Sequence, residues 1–300
     1  MKRILNLIII FVIGVCLCGC GPNISESSDK LQIVATLFPQ YDFVREIAGD
    51  KADVVLLAPA GADGHTYEPT PAEFIGISQS DMFIYTGQYM ESWASRIIES
   101  VSSDKLKVVD VSKNIELKQV NHHHGDHEEN YDAHIWTNPL NAKVMVDNIL
   151  AALCEIDGEN ADYYADRAEN YKKQLGELDK MFEQTVSEAK TNKMIFGDSF
   201  AFLYFAERYG IEYIAAFDTC SSEAEPGVRE IAQIIDEVKE NNISAVYYSE
   251  LSNKKVPQSI AEETGAQPLL FHSCHTVTDK NVTYLSLMNQ NLENLKKGLN

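Results

Sequence analysis

Residues 31–57 read LQIVATLFPQYDFVREIAGDKADVVLL and divide at Pro39 and Gly49. Leu31–Leu37 is aliphatic and β-branched and is expected as a strand. Pro39 presets the first turn of a helix through Ala48, which Gly49 ends, and Asp53–Leu57 is a second strand. This strand–helix–strand unit is the βαβ crossover of a parallel sheet. Outward from it, Thr70-Pro71-Ala72-Glu73 is a capping box with Pro at the first helical position, and Met82–Tyr85 and Lys107–Val111 are strands. Pro139–Asp157 is helical by period. Glu159–Lys190, free of Pro and rich in Ala, Glu, Lys and Tyr, predicts a helix of about 45 Å, longer than one lobe is wide and so a rigid spacer. The pattern then restarts with strands Lys193–Phe196, Glu212–Phe217, Ala245–Tyr248 and Pro268–Phe271. They alternate with helices Phe200–Tyr209, Pro226–Glu240 behind a second capping box at Ser222–Glu225, Pro257–Glu263 and Thr283–Lys297. The fold class is α/β: two βα lobes with parallel sheets, residues 31–157 and 191–300, joined by a long linking helix at 158–190.

The chain has 300 residues, 45% of them hydrophobic, enough for one large core or two moderate ones, and ordinary domain size favours two. With 45 acidic against 25 basic side chains the formal charge is −20, which repels nucleic-acid phosphates and anionic headgroups and leaves cations as the natural partners. Scattered surface charge is screened, so this points only weakly to a ligand. At the N-terminus Lys2 and Arg3 precede the apolar run Ile4–Cys18, too short for a permanent span. The run ends Leu17-Cys18-Gly19-Cys20, which resembles a bacterial lipobox. That likeness implies removal of residues 1–19, lipidation of Cys20, a flexible tether to residue 30, and residence on the outer face of the cytoplasmic membrane. Among the remaining cysteines, Cys154 lies in an apolar helical pattern, so Cys220 and Cys274 are expected to form a disulfide, with metal ligation by Cys274 the competing use.

Open parallel sheets bind ligands beyond the carboxyl ends of their strands. Four metal-competent side chains fall there or beside the first linking helix: His65 after Asp53–Leu57, His134 before Pro139, Asp198 after Lys193–Phe196, and His272 after Phe271. Two come from each half, which puts a metal site in the cleft between lobes. His122, His123, His124 and His127 stand among acidic residues and suit weak auxiliary metal capture or a solvated loop, and Glu250 is expected to support the ligands.

Gly61-Ala62-Asp63-Gly64-His65-Thr66-Tyr67-Glu68-Pro69 resembles the first-ligand motif of the zinc- and manganese-binding lipoproteins of bacterial ABC importers. Asp132-Ala133-His134-Ile135-Trp136 with Asn138-Pro139 resembles their second, and a His-rich loop between the two is typical of zinc members. Further likenesses at Ser222–Pro226, Ile260–Ala266 and Thr283–Leu285 extend the resemblance over the whole mature chain. It implies an extracytoplasmic, monomeric binding protein that delivers its metal to a permease and its ATPase and catalyses nothing. His65 and His134 match family ligands. The third family position falls on Asp198 or Ser199, and the fourth on His272, with His275 a possible substitute.

Two or three imidazoles with one carboxylate suit Zn²⁺ at about 2.0 to 2.2 Å, whereas Mn²⁺ favours more oxygen and Cu²⁺ would also bind. Imidazoles titrating near about 6.5 would weaken that binding at pH 5. A competing reading takes Gly197-Asp198-Ser199-Phe200-Ala201 as the nucleophile elbow of a serine hydrolase, with Asp218 or Asp236 and His272 or His275 in the right chain order. It leaves His65, His134 and the His-rich loop unexplained. No HExxH follows His127, and an adhesive role at the cell surface has no residues of its own.

Overall fold

The computed structural model describes residues 30–101, 105–120, 131–217, 227–277, 279 and 281–300. The leader with Cys20, the His-rich stretch with His122, His123, His124 and His127, the second capping box and Cys220 lie outside the described residues.

β1 (Leu31–Ala35) pairs in parallel with β2 (Ala52–Leu56) across α1 (Phe38–Ala48), with Ile33 opposite Val54. β3 (Met82–Tyr85) takes the other side of β1 and β4 (Lys107–Asp110) follows it, giving the order β2-β1-β3-β4. α2 (Pro71–Gln79) begins at the expected box: Glu73 N–H donates to Thr70 Oγ1 at 3.3 Å, and Thr70 N–H donates to Glu73 Oε2 at 2.7 Å. α3 (Ala94–Ser100), too short to show a period, was not expected; it buries Ala94 and Ile97 against Phe83 and Trp93.

After α4 (Pro139–Ile156) and α5 (Ala161–Ser187), the second lobe repeats the plan. β5 (Lys193–Ser199), α6 (Leu203–Tyr209), β6 (Glu212–Phe217), α7 (Val228–Glu240), β7 (Ala245–Tyr248), α8 (Lys255–Thr264), β8 (Gln267–Leu270) and α9 (Tyr284–Gly298) build a parallel sheet ordered β6-β5-β7-β8. Strand order therefore reverses between β1 and β3 in one lobe and between β5 and β7 in the other. Each reversal holds a carboxylate. Glu91 accepts from Thr86 N–H, Gly87 N–H and the hydroxyls of Thr36 and Thr86, just beyond β1 and β3. Asp198 Oδ2 accepts from Ser249 N–H at 2.9 Å, tying β5 to the end of β7. Burial pushes Glu91 up to about 7 and Asp198 up to about 6 against these hydrogen bonds.

The 27 residues of α5 span about 40 Å. Its buried residues Tyr164, Ala168, Tyr171, Leu175, Leu178 and Phe182 recur at threes and fours, and that stripe packs against α1 and α4 of the first lobe and α6 and α9 of the second. The helix is thus not a spacer between separate cores. One core runs from Ile33 and Phe43 through Tyr171 and Phe182 to Phe196, Phe271 and Leu295. Polar ties follow the same path: Tyr284 N–H donates to Asp42 Oδ2 at 2.7 Å, Tyr284 O–H to the Trp136 carbonyl at 2.6 Å, and Arg208 holds Asp179 through two bonds of 2.9 and 2.8 Å.

Cys274 is buried within that core, its expected partner Cys220 lies outside the described residues, and burial, with the carboxylates of Glu250 and Asp42 near, pushes the thiol's pKa well up. Cys154 is partly buried.

A continuous core makes the lobes unfold together. Phe271 is fully buried with ring centroids 5.0 Å from Phe202, 5.4 Å from Phe205 and 5.6 Å from Tyr247. Scanning calorimetry is expected to show one transition, and Phe271→Ala to cost about 3 to 5 kcal/mol and shift that transition whole. Two transitions, only one of them moved, would refute the shared core.

Candidate metal centre

Three loops from beyond the sheets' carboxyl ends meet: the one after β2 carries His65, the one after β4 His134, and the one after β8 His275. Each histidine closes the same short turn, in which the side chain two residues earlier accepts the histidine's own amide. His65 N–H donates to Asp63 Oδ1 at 2.9 Å, His134 N–H to Asp132 Oδ1 at 2.7 Å, and His275 N–H to Ser273 Oγ at 3.3 Å. The third turn is reinforced from β7's end, where Glu250 accepts from Ser273 N–H at 2.7 Å, Ser273 Oγ at 2.8 Å and His275 N–H at 3.1 Å. Cys274 between them takes φ 58°, a left-handed conformation this anchoring sustains.

The rings converge. His65 Nε2 and His134 Nε2 are 3.2 Å apart, the three ring centroids are 5.1 to 5.5 Å apart, and the ligand nitrogens lie within 4.8 Å of one another. Trp136 backs the cluster at 5.4 Å from His134 and 5.6 Å from His275, and its Nε1–H donates to the Ser273 carbonyl at 2.7 Å, joining the lobes beside the site. Gly64 permits the approach, since a Cβ there would lie 2.5 Å from His275 Nε2 and 2.7 Å from Leu37 Cδ2.

His134 Nδ1 faces Asp132 Oδ1 at 3.1 Å, which holds the proton on Nδ1 and leaves the Nε2 lone pair for the cluster. Burial, then the neighbouring His134, pushes His65 down to about 4. Burial followed by His134 and His65 pushes His275 well below the usual imidazole range, and His275 Nε2 is buried without a partner among the protein atoms. Neutral imidazoles with inward lone pairs are the protonation state that zinc-type ions require, at Zn–N distances of about 2.0 to 2.1 Å.

The centre differs from the expected set in two places. His272 does not join it: Asn291 on α9 pins its amide at 2.6 Å and its carbonyl at 2.7 Å, and its Nε2 faces Gln290 Oε1 at 3.2 Å. Asp198 does not join it either: its Oδ2 accepts from Ser249 N–H and Oγ at the reversal of strand order, and its Oδ1 is buried with no hydrogen-bond partner among the described residues. His275 takes the place. The signal was present, since Ser273-Cys274-His275 repeats the spacing of Asp63-Gly64-His65 and Asp132-Ala133-His134, and no such acceptor stands two residues before His272. Ser199 is not at a strained elbow: it prolongs β5, pairs with Phe217 after a bulge, and has no positive φ. The hydrolase reading falls with it.

The sequence profile of the family described as zinc-uptake complex component A, periplasmic, matches residues 33–298. The high-affinity zinc uptake system protein ZnuA of Bacillus subtilis (strain 168) is 32% identical over 315 residues, covering 97% of each chain. The zinc-binding lipoprotein AdcA of Streptococcus pneumoniae (strain R6) is 28% identical, over 99% of this chain and 61% of its own length. Among solved structures, the Zn(II)-bound ZnuA-like domain of that species' AdcA superposes with a TM-score of 0.78 at 28% identity, covering 90% of this chain and 99% of the other. The laminin binding protein of Streptococcus agalactiae, described as bifunctional with adhesin and metal transporting activity, gives 0.80 at 28%, covering 90% and 100%.

The unfolded chain takes up a proton at about 6.5 that folded, metal-free His65 refuses until about 4. Its contribution to stability is therefore complete above pH 6.5 and lost as pH falls through that window, about 3 kcal/mol by pH 4. Urea midpoints of the metal-free protein should fall more steeply from pH 7 to pH 4.5 than those of His65→Asn; parallel curves would mean that His65 is not held neutral.

Proposed function

Because the chain belongs to the zinc-uptake complex component A family, we propose that it captures Zn²⁺ outside the cell through His65, His134 and His275 and delivers it to a membrane permease driven by an ATPase. The single observation that carries this reading is the convergence of three imidazoles, His134 and His275 buried and His65 half-buried, with His275 Nε2 left without a partner among the described residues. An all-nitrogen set fits zinc better than manganese. The protein acts as a monomer and catalyses no reaction, holding its cargo by coordination alone. Cys20 carries the lipid that keeps it on the outer face of the cytoplasmic membrane, and among the described residues no helix is long and apolar enough to cross one. His122, His123, His124 and His127 serve as a weak collecting tract ahead of the site.

Metal capture requires little movement. The lobes are already tied around the site by Trp136 to Ser273 and by Tyr204, whose hydroxyl donates to the Asp132 carbonyl at 2.6 Å and accepts from Lys118 N–H at 3.1 Å. Glu250 and Asp132 fix ligand orientation before the ion arrives.

Competition titration against a chromophoric zinc chelator tests the assignment. His65→Ala, His134→Ala and His275→Ala should each weaken zinc by at least about 100-fold, and Glu250→Ala by about tenfold, while His272→Ala and Asp198→Asn keep one tight site. Loss of zinc in His272→Ala with retention in His275→Ala would reverse the assignment. Zinc should also raise the melting temperature of the wild type, through linkage, and not that of His134→Ala.

A further inference from the structure

The three ligand loops are not held alike. Glu250 binds the turn of His275, and Tyr204 and Trp136 bind the turn of His134, through bonds inside the protein. His65 is the half-buried ligand of the three, and its loop is bonded largely to itself. Ala62 N–H donates to the Pro59 carbonyl at 3.0 Å, His65 N–H to Asp63 Oδ1 at 2.9 Å, and Thr66 and Tyr67 N–H to the Asp63 carbonyl at 3.3 and 3.0 Å. The loop is thus a unit on two stems: Ala58, whose N–H donates to the Thr36 carbonyl at 3.0 Å, and Thr70, which caps α2. The exposed Glu68–Arg96 pair, at 3.1 Å, stays within the first lobe. A different bond crosses to the second. Gly61 N–H donates to Thr276 Oγ1 at 2.8 Å, and Thr276 directly follows His275. The loop of one ligand is thereby joined to the turn of another, on the wall of a cavity of about 330 Å³. Thr276 is buried, whereas Gly61 is exposed, so water takes over the Gly61 N–H when the bond opens.

We infer that Thr276 is a positioning residue for metal exchange: its hydroxyl latches the His65 loop to the His275 turn, and zinc enters and leaves by the parting of these two loops, with His65 the first ligand to let go. The inference rests on the three-histidine reading of the zinc site and adds an order of events to it. His134 and His275 stay where Trp136 and Glu250 hold them, so the lobes need not separate for the ion to pass. Neither partner in the latch is a ligand. The bond is made while the loops are together and broken while they part, whichever way the ion is moving. Such a bond raises the barrier in both directions and leaves the affinity where it was, whereas a bond that merely steadies a ligand acts on the affinity.

The test measures zinc leaving the full, loaded chain on rapid mixing with excess chromophoric chelator, zinc entering the metal-free chain, and the equilibrium affinity. Thr276→Val keeps the shape of the side chain and strands no buried donor. It should speed release and capture alike, by about threefold to tenfold as expected for loss of one hydrogen bond, with affinity held within about twofold. Thr276→Ala gives the same readout if the valine variant folds poorly, and Thr276→Ser, which keeps the hydroxyl, should return both rates to near those of the wild type. Tyr284→Phe removes a different bond between the lobes, the one to the Trp136 carbonyl, and should leave release within about twofold. Unchanged rates in Thr276→Val overturn the proposal. So does faster release with an equal loss of affinity, since Thr276 then only steadies a ligand. Equal acceleration by Thr276→Ser or by Tyr284→Phe overturns it too, because the hydroxyl, or the particular pair of loops, would not matter. Failure of the underlying zinc site would show separately, as less than one zinc per wild-type chain before any chelator is added.

Discussion

Three imidazoles whose ligand nitrogens lie within 4.8 Å of one another, two of the rings buried and one half-buried, are a poor arrangement for a folded chain on its own. Protonation would relieve the repulsion between them, yet burial forbids it: His65 titrates near 4 and His275 well below its usual range. The surroundings therefore have to hold each ring where it does not want to be. They do so at the backbone, through an acceptor two residues before each histidine, and at the rings, through Asp132 and Trp136. A cation is what makes the arrangement favourable, and the all-nitrogen donor set favours one that prefers nitrogen.

Such precision requires that the loops not drift, and the shared core provides this. α5 contributes one apolar stripe to both lobes, and α9 is tied back to the first lobe by Asp42 and the Trp136 carbonyl. The third histidine belongs to the second lobe by sequence, but the Trp136–Ser273 bond fastens its loop to the first. Loop and lobe are thus separable in the chain and not in the structure.

Much of this was legible in the residues. Alternating β-rich and amphipathic runs, Pro39, Gly49 and the box at Thr70 located most elements within a few positions, because those signals are local. His65 and His134 stood out by their places beyond a strand and before the linking helix and by the motifs around them, and the structure brings the two rings together. His272 misled because position at a strand's end says where a side chain starts and not what claims it; Asn291 and Gln290, almost twenty residues on, claimed it first. The continuity of the core was hidden too. Periodicity in α5 announces a buried face without saying that two different lobes bury it.

The carboxylates at the two reversals of strand order have a wider meaning. In open α/β sheets that crevice is where a bound anion or cofactor usually lodges against strand-end amides. Here Glu91 occupies one and Asp198 the other, each collecting the strand-end donors that a guest would have used. Both sheets are in effect self-liganded. With both crevices closed from within, recognition is left to the loops above them, which carry all three histidines while the strands carry none.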